Sequence, residues 1–277
     1  MPTIKVNNTE LFYEEAGAAP ETIVFSHGLL MDHTMFGAQK AAFAPRYRVI
    51  AYDHRGQGNS SHAASGYDMD NVAEDAAALI QALNASPCHF AGLSMGGFVG
   101  MRLAARCPEL LRTLTLMNTG AGREPLPGRI RYNFLAQLVK IVGTRPFTSI
   151  AVKELFGKST RASSDPAKQA MLKEWTAKLA SRPKNVAKAL LGVMNRPEFS
   201  NDELMAIKCP TLIITGEDDT AQPPFRSERM AQAIPNSRLV RILACGHSSS
   251  LEQPEAVIAA MRELMEKAKY SGANSRE

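Results

Sequence analysis

The chain has 277 residues, 45% of them apolar and 21% charged, with a formal charge of +5, a composition that excludes a disordered or fibrous protein and fits a packed globular domain. Lysines and arginines are interleaved with acids, without a run of five or six basic residues, which argues against a nucleic-acid partner. Cys88, Cys107, Cys209 and Cys245 are far apart with no CxxC pair, no apolar run nears the roughly 20 residues of a membrane span, and Met1-Pro2-Thr3-Ile4-Lys5 lacks an apolar leader core, so reduced thiols, a cytoplasmic location and no membrane partner are expected.

Residues 3–6 and 11–14 flank the turn-forming pair Asn7-Asn8 and predict an antiparallel hairpin. Six further strand-like runs follow at 22–25, 47–52, 88–91, 114–117, 211–214 and 239–242, several of them near-continuously apolar as in parallel strands covered on both faces. Helical patterns lie between them, most clearly at 71–83, 98–106, 226–233 and 255–268. This alternation predicts an α/β fold with a mostly parallel, doubly wound sheet. Residues 120–205 break the rhythm: they hold helical segments, glycines and prolines but no convincing strand, and read as a helical cap inserted in the sheet domain. Within it Arg129, Arg131 and Lys140 accompany Ile130, Phe134, Leu135, Leu138 and Ile141 at helical spacing, which reads as an amphipathic helix over a pocket in preference to a phosphate footprint or a membrane anchor. Residues 269–277 are small and polar and read as a tail.

Gly92-Leu93-Ser94-Met95-Gly96 matches G-x-S-x-G. Three fixed positions would arise by chance in roughly one chain in ten of this length, but here a strand precedes the pentapeptide and a helical run follows it, the context of a nucleophile held on a sharp turn. The competing reading is a plain strand-to-helix turn with a capping serine. A serine hydroxyl needs a base within reach. His247, in the loop between the last strand and the last helix, can lean toward a serine at the same sheet edge, whereas His89 lies inside a strand and His33, His54 and His62 read as loop residues. The base in turn needs a carboxylate to hold its tautomer. Thr215-Gly216-Glu217-Asp218-Asp219 follows the penultimate strand, and spacing from Gly216 favours Asp219, with Asp218 next.

His27-Gly28, the run Asp53-His54-Arg55-Gly56-Gln57-Gly58-Asn59-Ser60, Gly92 to Gly97, Gly216 to Asp219 and Gly246-His247 together closely resemble the α/β-hydrolase superfamily. The nearest branch is that of esterases, lactonases and haloperoxidase-like perhydrolases, which includes 3-oxoadipate enol-lactonases. The resemblance covers residues 1–119 and 206–268 and leaves 120–205 unmatched. It implies an eight-stranded, mostly parallel sheet flanked by helices, with Ser94, Asp219 and His247 as catalytic triad in that chain order. It further implies backbone N–H groups of Leu29 and Met95 as oxyanion donors, His27 shaping that loop beside the substrate pocket, and a structural role for residues 53–60. The cap would supply apolar pocket residues, for which Phe134, Leu138, Phe147, Phe156 and Trp175 are candidates; core packing is the competing reading of each.

No metal-ligand cluster is visible, and Gly56-Gln57-Gly58 is too short and wrongly placed for a dinucleotide loop, so no cofactor is expected. The activity implied is hydrolysis of a small-molecule carboxylic ester or lactone through an acyl-enzyme on Ser94. Carbon–carbon bond hydrolysis and perhydrolysis use the same triad and stay open, as does a non-hydrolytic receptor on this fold. Alkyl halide and epoxide hydrolysis drop out because those relatives carry aspartate where Ser94 stands. The oligomeric state is open, a homodimer included.

Overall fold

In a computed structural model of the chain, residues 2–273 are described. They form one eight-stranded sheet in the order β1-β2-β4-β3-β5-β6-β7-β8. The hairpin pairs β1 (Thr3–Val6) with β2 (Thr9–Ala16), and its turn residues Asn7 and Asn8 both take positive φ, a conformation asparagine tolerates better than most residues. β2 also runs antiparallel to β4 (Arg48–Tyr52), after which β3 (Thr22–Ser26), β5 (Cys88–Leu93), β6 (Leu111–Met117), β7 (Thr211–Gly216) and β8 (Ser237–Ile242) continue the sheet in parallel. The order reverses between β3 and β5. In an open parallel sheet this is where the loops at the carboxyl ends diverge and leave a crevice.

Both sheet faces are covered, which is why the central strands are continuously apolar rather than alternating. α2 (Met69–Ala82), α3 (Met95–Arg106) and α10 (Pro224–Ala233) share one core with Val24, Phe90 and Ile213. α1 (Gly37–Phe43), the short α11 (Ser249–Glu252) and α12 (Pro254–Ala273) share the other with Ile23, Phe25, Leu93 and Ile214. Local signals start several helices: Asp68 caps α2 by accepting from the Asn71 N–H, and Ser200 and Glu203 form a reciprocal capping box.

Between β6 and β7 lies a purely helical insertion comprising α4 (Leu126–Val142), α5 (Thr148–Leu155), α6 (Lys158–Arg161), α7 (Pro166–Ala180), α8 (Val186–Met194) and α9 (Asn201–Met205). α4 packs along α8 around Ala136, Val139, Val186, Ala187 and Leu190. Val193 of α8, Phe199 and Leu204 of α9 join the body's core. One boundary differs from expectation. The tail expected from 269 is helical as far as Ala273, because α12 continues past its last core contact; residues 274–277 lie outside the described residues.

The run 53–60 is held by a dense set of bonds: Ser60 Oγ donates to the Asp53 carbonyl (2.6 Å), and the Asp53 carboxylate accepts from the N–H groups of His33 (2.7 Å) and Asn59 (2.8 Å). Beside it the Arg55 guanidinium lies on buried Asp75 (2.6 Å). Burial pushes the Asp75 carboxyl pKa up despite that cation. Removing one partner of a buried pair strands the other charge, so Arg55→Ala should lower stability by about 3–5 kcal/mol, read as a reduced urea midpoint with an unchanged denaturant slope.

Candidate active site

Ser94 follows β5 directly, with φ 54° and ψ −108°. A serine holds this strained backbone only when its surroundings impose it. Here the Ser94 N–H donates to the Met117 carbonyl of β6 (2.8 Å), and its own carbonyl accepts from the Gly97 N–H (2.9 Å) and Thr119 Oγ1 (2.8 Å). α3 starts so close to β3 that a Cβ on Gly96 would lie 2.0 Å from the Ser26 carbonyl oxygen, so only glycine fits there. The result is a serine side chain at the carboxyl edge of the sheet, bordering a cavity of about 360 Å³.

His247 borders the same cavity from the loop after β8. Its Nδ1 lies 2.9 Å from Asp219 Oδ2 and 3.1 Å from Oδ1, so Nδ1 carries the hydrogen and Nε2 is left as the acceptor. Burial disfavours the charged ring, but the Asp219 carboxylate, with Glu252 and Glu154 further off, outweighs it and raises the His247 pKa above the ordinary imidazole value. Among the described residues no hydrogen bond joins Ser94 Oγ to His247. Asp219 is almost fully buried and also accepts from the N–H groups of Ala221 (3.0 Å) and Gln222 (2.8 Å) and from Asn118 Nδ2 (2.9 Å). Asp218, the alternative acid, faces away: it accepts from the Ser159 N–H (3.0 Å) and lies 3.8 Å from Lys158 Nζ.

The loop after β3 approaches from the other side, where a Cβ on Gly28 would stand 3.6 Å from Ser94 Cβ. His27 is fully buried and does not border the cavity. Its Nε2 accepts from the His54 N–H (3.0 Å), which puts the hydrogen on Nδ1, donated to the Gly28 carbonyl (2.7 Å). His27 thus orients the peptide that carries the Leu29 N–H instead of lining the pocket as expected. Burial lowers its pKa, in keeping with a neutral ring. Leu29 itself lines the cavity, and Met95 is the first residue of α3, where backbone N–H groups have no acceptor within the helix.

The inserted helices roof the cavity with Tyr132, Leu135 and Val139 of α4, Phe147, and Leu190 and Val193 of α8. Of the roof residues anticipated, Phe147 alone lines it. Phe134 points outward and is 65% exposed, and Leu138 sits half-buried off the cavity, because α4 turns its 132/135/139 face inward. Trp175 and Phe156 are packed into the same core as Met31, Phe36 and Leu93, and α7 borders the cavity through Leu179 instead. The polar wall of Glu124, Arg196, Gln222 and Arg226 was not anticipated. Nor were Asn118, one residue past β6, or Glu252, whose carboxylate accepts from the N–H groups of Gly246 (3.1 Å) and Ser248 (3.0 Å) on either side of His247. A positive φ of 48° at Asn118 echoes its neighbourhood with Ser94, but a lone asparagine after a strand reads in sequence as a turn.

A family model for the alpha/beta hydrolase fold matches residues 21–254, and the chain belongs to that family. Among curated relatives, RutD of Azorhizobium caulinodans, a protein named for carbamate hydrolysis, is 28% identical over 92% of this chain and 94% of its own. The 3-oxoadipate enol-lactonase 2 of Acinetobacter baylyi is 28% identical over 96% of each. Among solved structures, a thermophilic esterase from Thermogutta terrifontis superposes with a TM-score of 0.89 at 31% identity, covering 97% of this chain and 99% of that one.

The electrostatics around His247 can be read directly. An NMR titration should place its midpoint above the ordinary value of about 6.5, and Asp219→Asn should move it below that value, since burial then acts without the opposing carboxylate.

Proposed function

We propose that this chain is a serine hydrolase that cleaves a carboxylic ester or lactone through an acyl-enzyme on Ser94. The observation that carries this reading is one cavity bordered by Ser94, on its strained turn, and by His247, whose far ring nitrogen is held by buried Asp219. Ser94 Oγ attacks the carbonyl carbon while His247 Nε2 takes its proton, and Asp219 stabilises the imidazolium without accepting the proton. The negative charge that builds on the carbonyl oxygen faces the N–H groups of Leu29 and Met95, each such donor being worth on the order of 100- to 1000-fold in rate. His247 then returns the proton to the departing alkoxide, which in a lactone stays tethered to the acyl group. A water deprotonated by the same ring cleaves the acyl-serine and restores the enzyme.

The lining supports a substrate of small to medium size with apolar parts: about 360 Å³ is at the lower end of ligand pockets, and Leu29, Leu135, Val139 and Leu190 are among the lining residues. The names carried by relatives, an enol-lactonase and an esterase, support the same substrate class.

Ser94→Ala should abolish labelling by a fluorophosphonate and cut kcat for a short-chain nitrophenyl ester on the order of 10⁶-fold, with the circular dichroism spectrum unchanged; persistent labelling would dismiss Ser94 as the nucleophile. Asp219→Asn should cost on the order of 10⁴-fold in kcat, whereas Asp218→Asn should stay near wild type. The reverse ranking would transfer the acid's role to Asp218.

A further inference from the structure

The outer surface of α4 does not look like the solvent side of a helix. Its inner side is apolar where it covers the cavity, yet Leu126, Ile130, Phe134 and Ile141 on the opposite side are 62–68% exposed. At about 100° per residue these four fall within one arc of about 80°, and Val142, the last residue of α4, is exposed as well. A helix that is apolar on both sides is expected to be covered on both.

The charge around this stripe says what covers it. Residues 118–210, the segment between β6 and β7, hold 16 Lys and Arg against seven Asp and Glu, so it carries +9 and the rest of the chain −4 of the total +5. Arg129, Lys140, Arg145 and Lys184 edge the stripe, and none has a carboxylate partner among the described residues. Lys140 Nζ bonds Gln137 Oε1 (3.2 Å), and Lys184 Nζ bonds the Ile141 carbonyl (2.6 Å) beside the stripe. The two nearby acids face the cavity and are matched there, Glu124 by Arg226 and Glu154 by Arg131, each at 3.8 Å. A second copy apposed through the same face would bring two strongly cationic segments together, which Coulomb repulsion opposes.

We propose that the outer face of α4 docks on an anionic lipid surface, with Ile130, Phe134 and Ile141 entering the headgroup–acyl boundary and the surrounding lysines and arginines meeting the anionic headgroups. Apolar anchors within a cationic rim are the two requirements for reversible binding at such an interface. No helix of the described residues is long and apolar enough to cross a membrane, so this is attachment from one side. It departs from the expectation of no membrane partner, which rests on the absence of a spanning run and on reading this helix as a pocket cover and not a membrane anchor; a surface helix needs no spanning run, and α4 covers the pocket with its other side. The site is independent of the chemistry proposed for Ser94.

The test is flotation of the full chain with vesicles of phosphatidylcholine alone or of an equimolar mixture with phosphatidylglycerol. The protein should float with the mixed vesicles only, less so at high salt, and Phe134→Asp and Lys140→Glu should each reduce the bound fraction severalfold while esterase turnover of a soluble substrate and the unfolding midpoint stay near wild type. Because Trp175, the one tryptophan, is buried, Phe134→Trp adds an exposed reporter whose emission should shift to the blue on adding mixed vesicles and not phosphatidylcholine. No flotation above the phosphatidylcholine background, or no emission shift in Phe134→Trp, overturns the proposal. So does a concentration-dependent dimer that Phe134→Asp dissociates, which would assign the stripe to a second copy.

Discussion

A carboxylate almost completely removed from water must have its charge answered by hydrogen-bond donors, or it protonates or unfolds the site. Asp219 is in that position, and its donors come from three strand ends: the amide of Asn118 after β6, the N–H groups of Ala221 and Gln222 after β7, and the ring of His247 after β8. Satisfying one charge therefore draws three loops to one point. Asn118 tightens the arrangement further, since the same Nδ2 also donates to the Gly246 carbonyl (2.9 Å), next to the histidine. The geometry of His247 is a consequence of this network: with Nδ1 committed to Asp219, only Nε2 can face the cavity.

The roof is fastened to the same loops. A Cβ on Gly246 would lie 2.0 Å from the backbone nitrogen of Gly157 in the insertion, so the two chains meet backbone to backbone with no room for side chains. Glu252 bridges that contact by accepting from the Gly157 N–H (2.9 Å) as well as from Gly246 and Ser248, and burial pushes its carboxyl pKa up in spite of these donors. On the opposite side Arg182 donates to the Leu30 carbonyl (2.7 Å) and to Asp32 (2.8 Å), pinning the insertion to the loop that carries Leu29. The inserted helices are thus coupled to both halves of the candidate chemistry, the base on one side and the oxyanion-binding peptides on the other. A substitution at Gly157 or Arg182 would disturb the site without touching the cavity.

What was legible beforehand follows from how local each signal is. The eight strands, the turn at Ser94 and the approach of Asp219, not Asp218, to His247 all rest on short-range patterns, namely apolar runs, the glycines around Ser94, and residue spacing after a strand. Phe134 and Leu138 failed as pocket residues for a different reason. α4 carries apolar residues around most of its circumference, so periodicity identifies the helix but cannot say which arc points inward. Packing against α8 through Ala136 and Val139 decides that, and it puts Leu135 over Ser94 and Phe134 outside. Trp175 was misplaced because the direction of α7 depends on contacts with distant parts of the chain, such as Lys178 on Thr34, that no window of α7 records. Asn118 and Glu252 carry no signal at all until distant loops are brought together.

The same ambiguity shapes how the roof works. A single layer of α4 separates the cavity from the exterior: Leu135 and Val139 face in, while Ile130, Phe134 and Ile141 face out on the same stretch of about three turns. An ordinary roof would have a polar outer face, and its helix would be fixed by the apolar contrast between its sides. Here that contrast is weak, so the inner contacts with α8 and the pins at Gly157 and Arg182 hold the helix in register in its place. Whatever meets the outer face therefore meets the back of the element whose inner side, through Leu135 and Val139, lines the cavity.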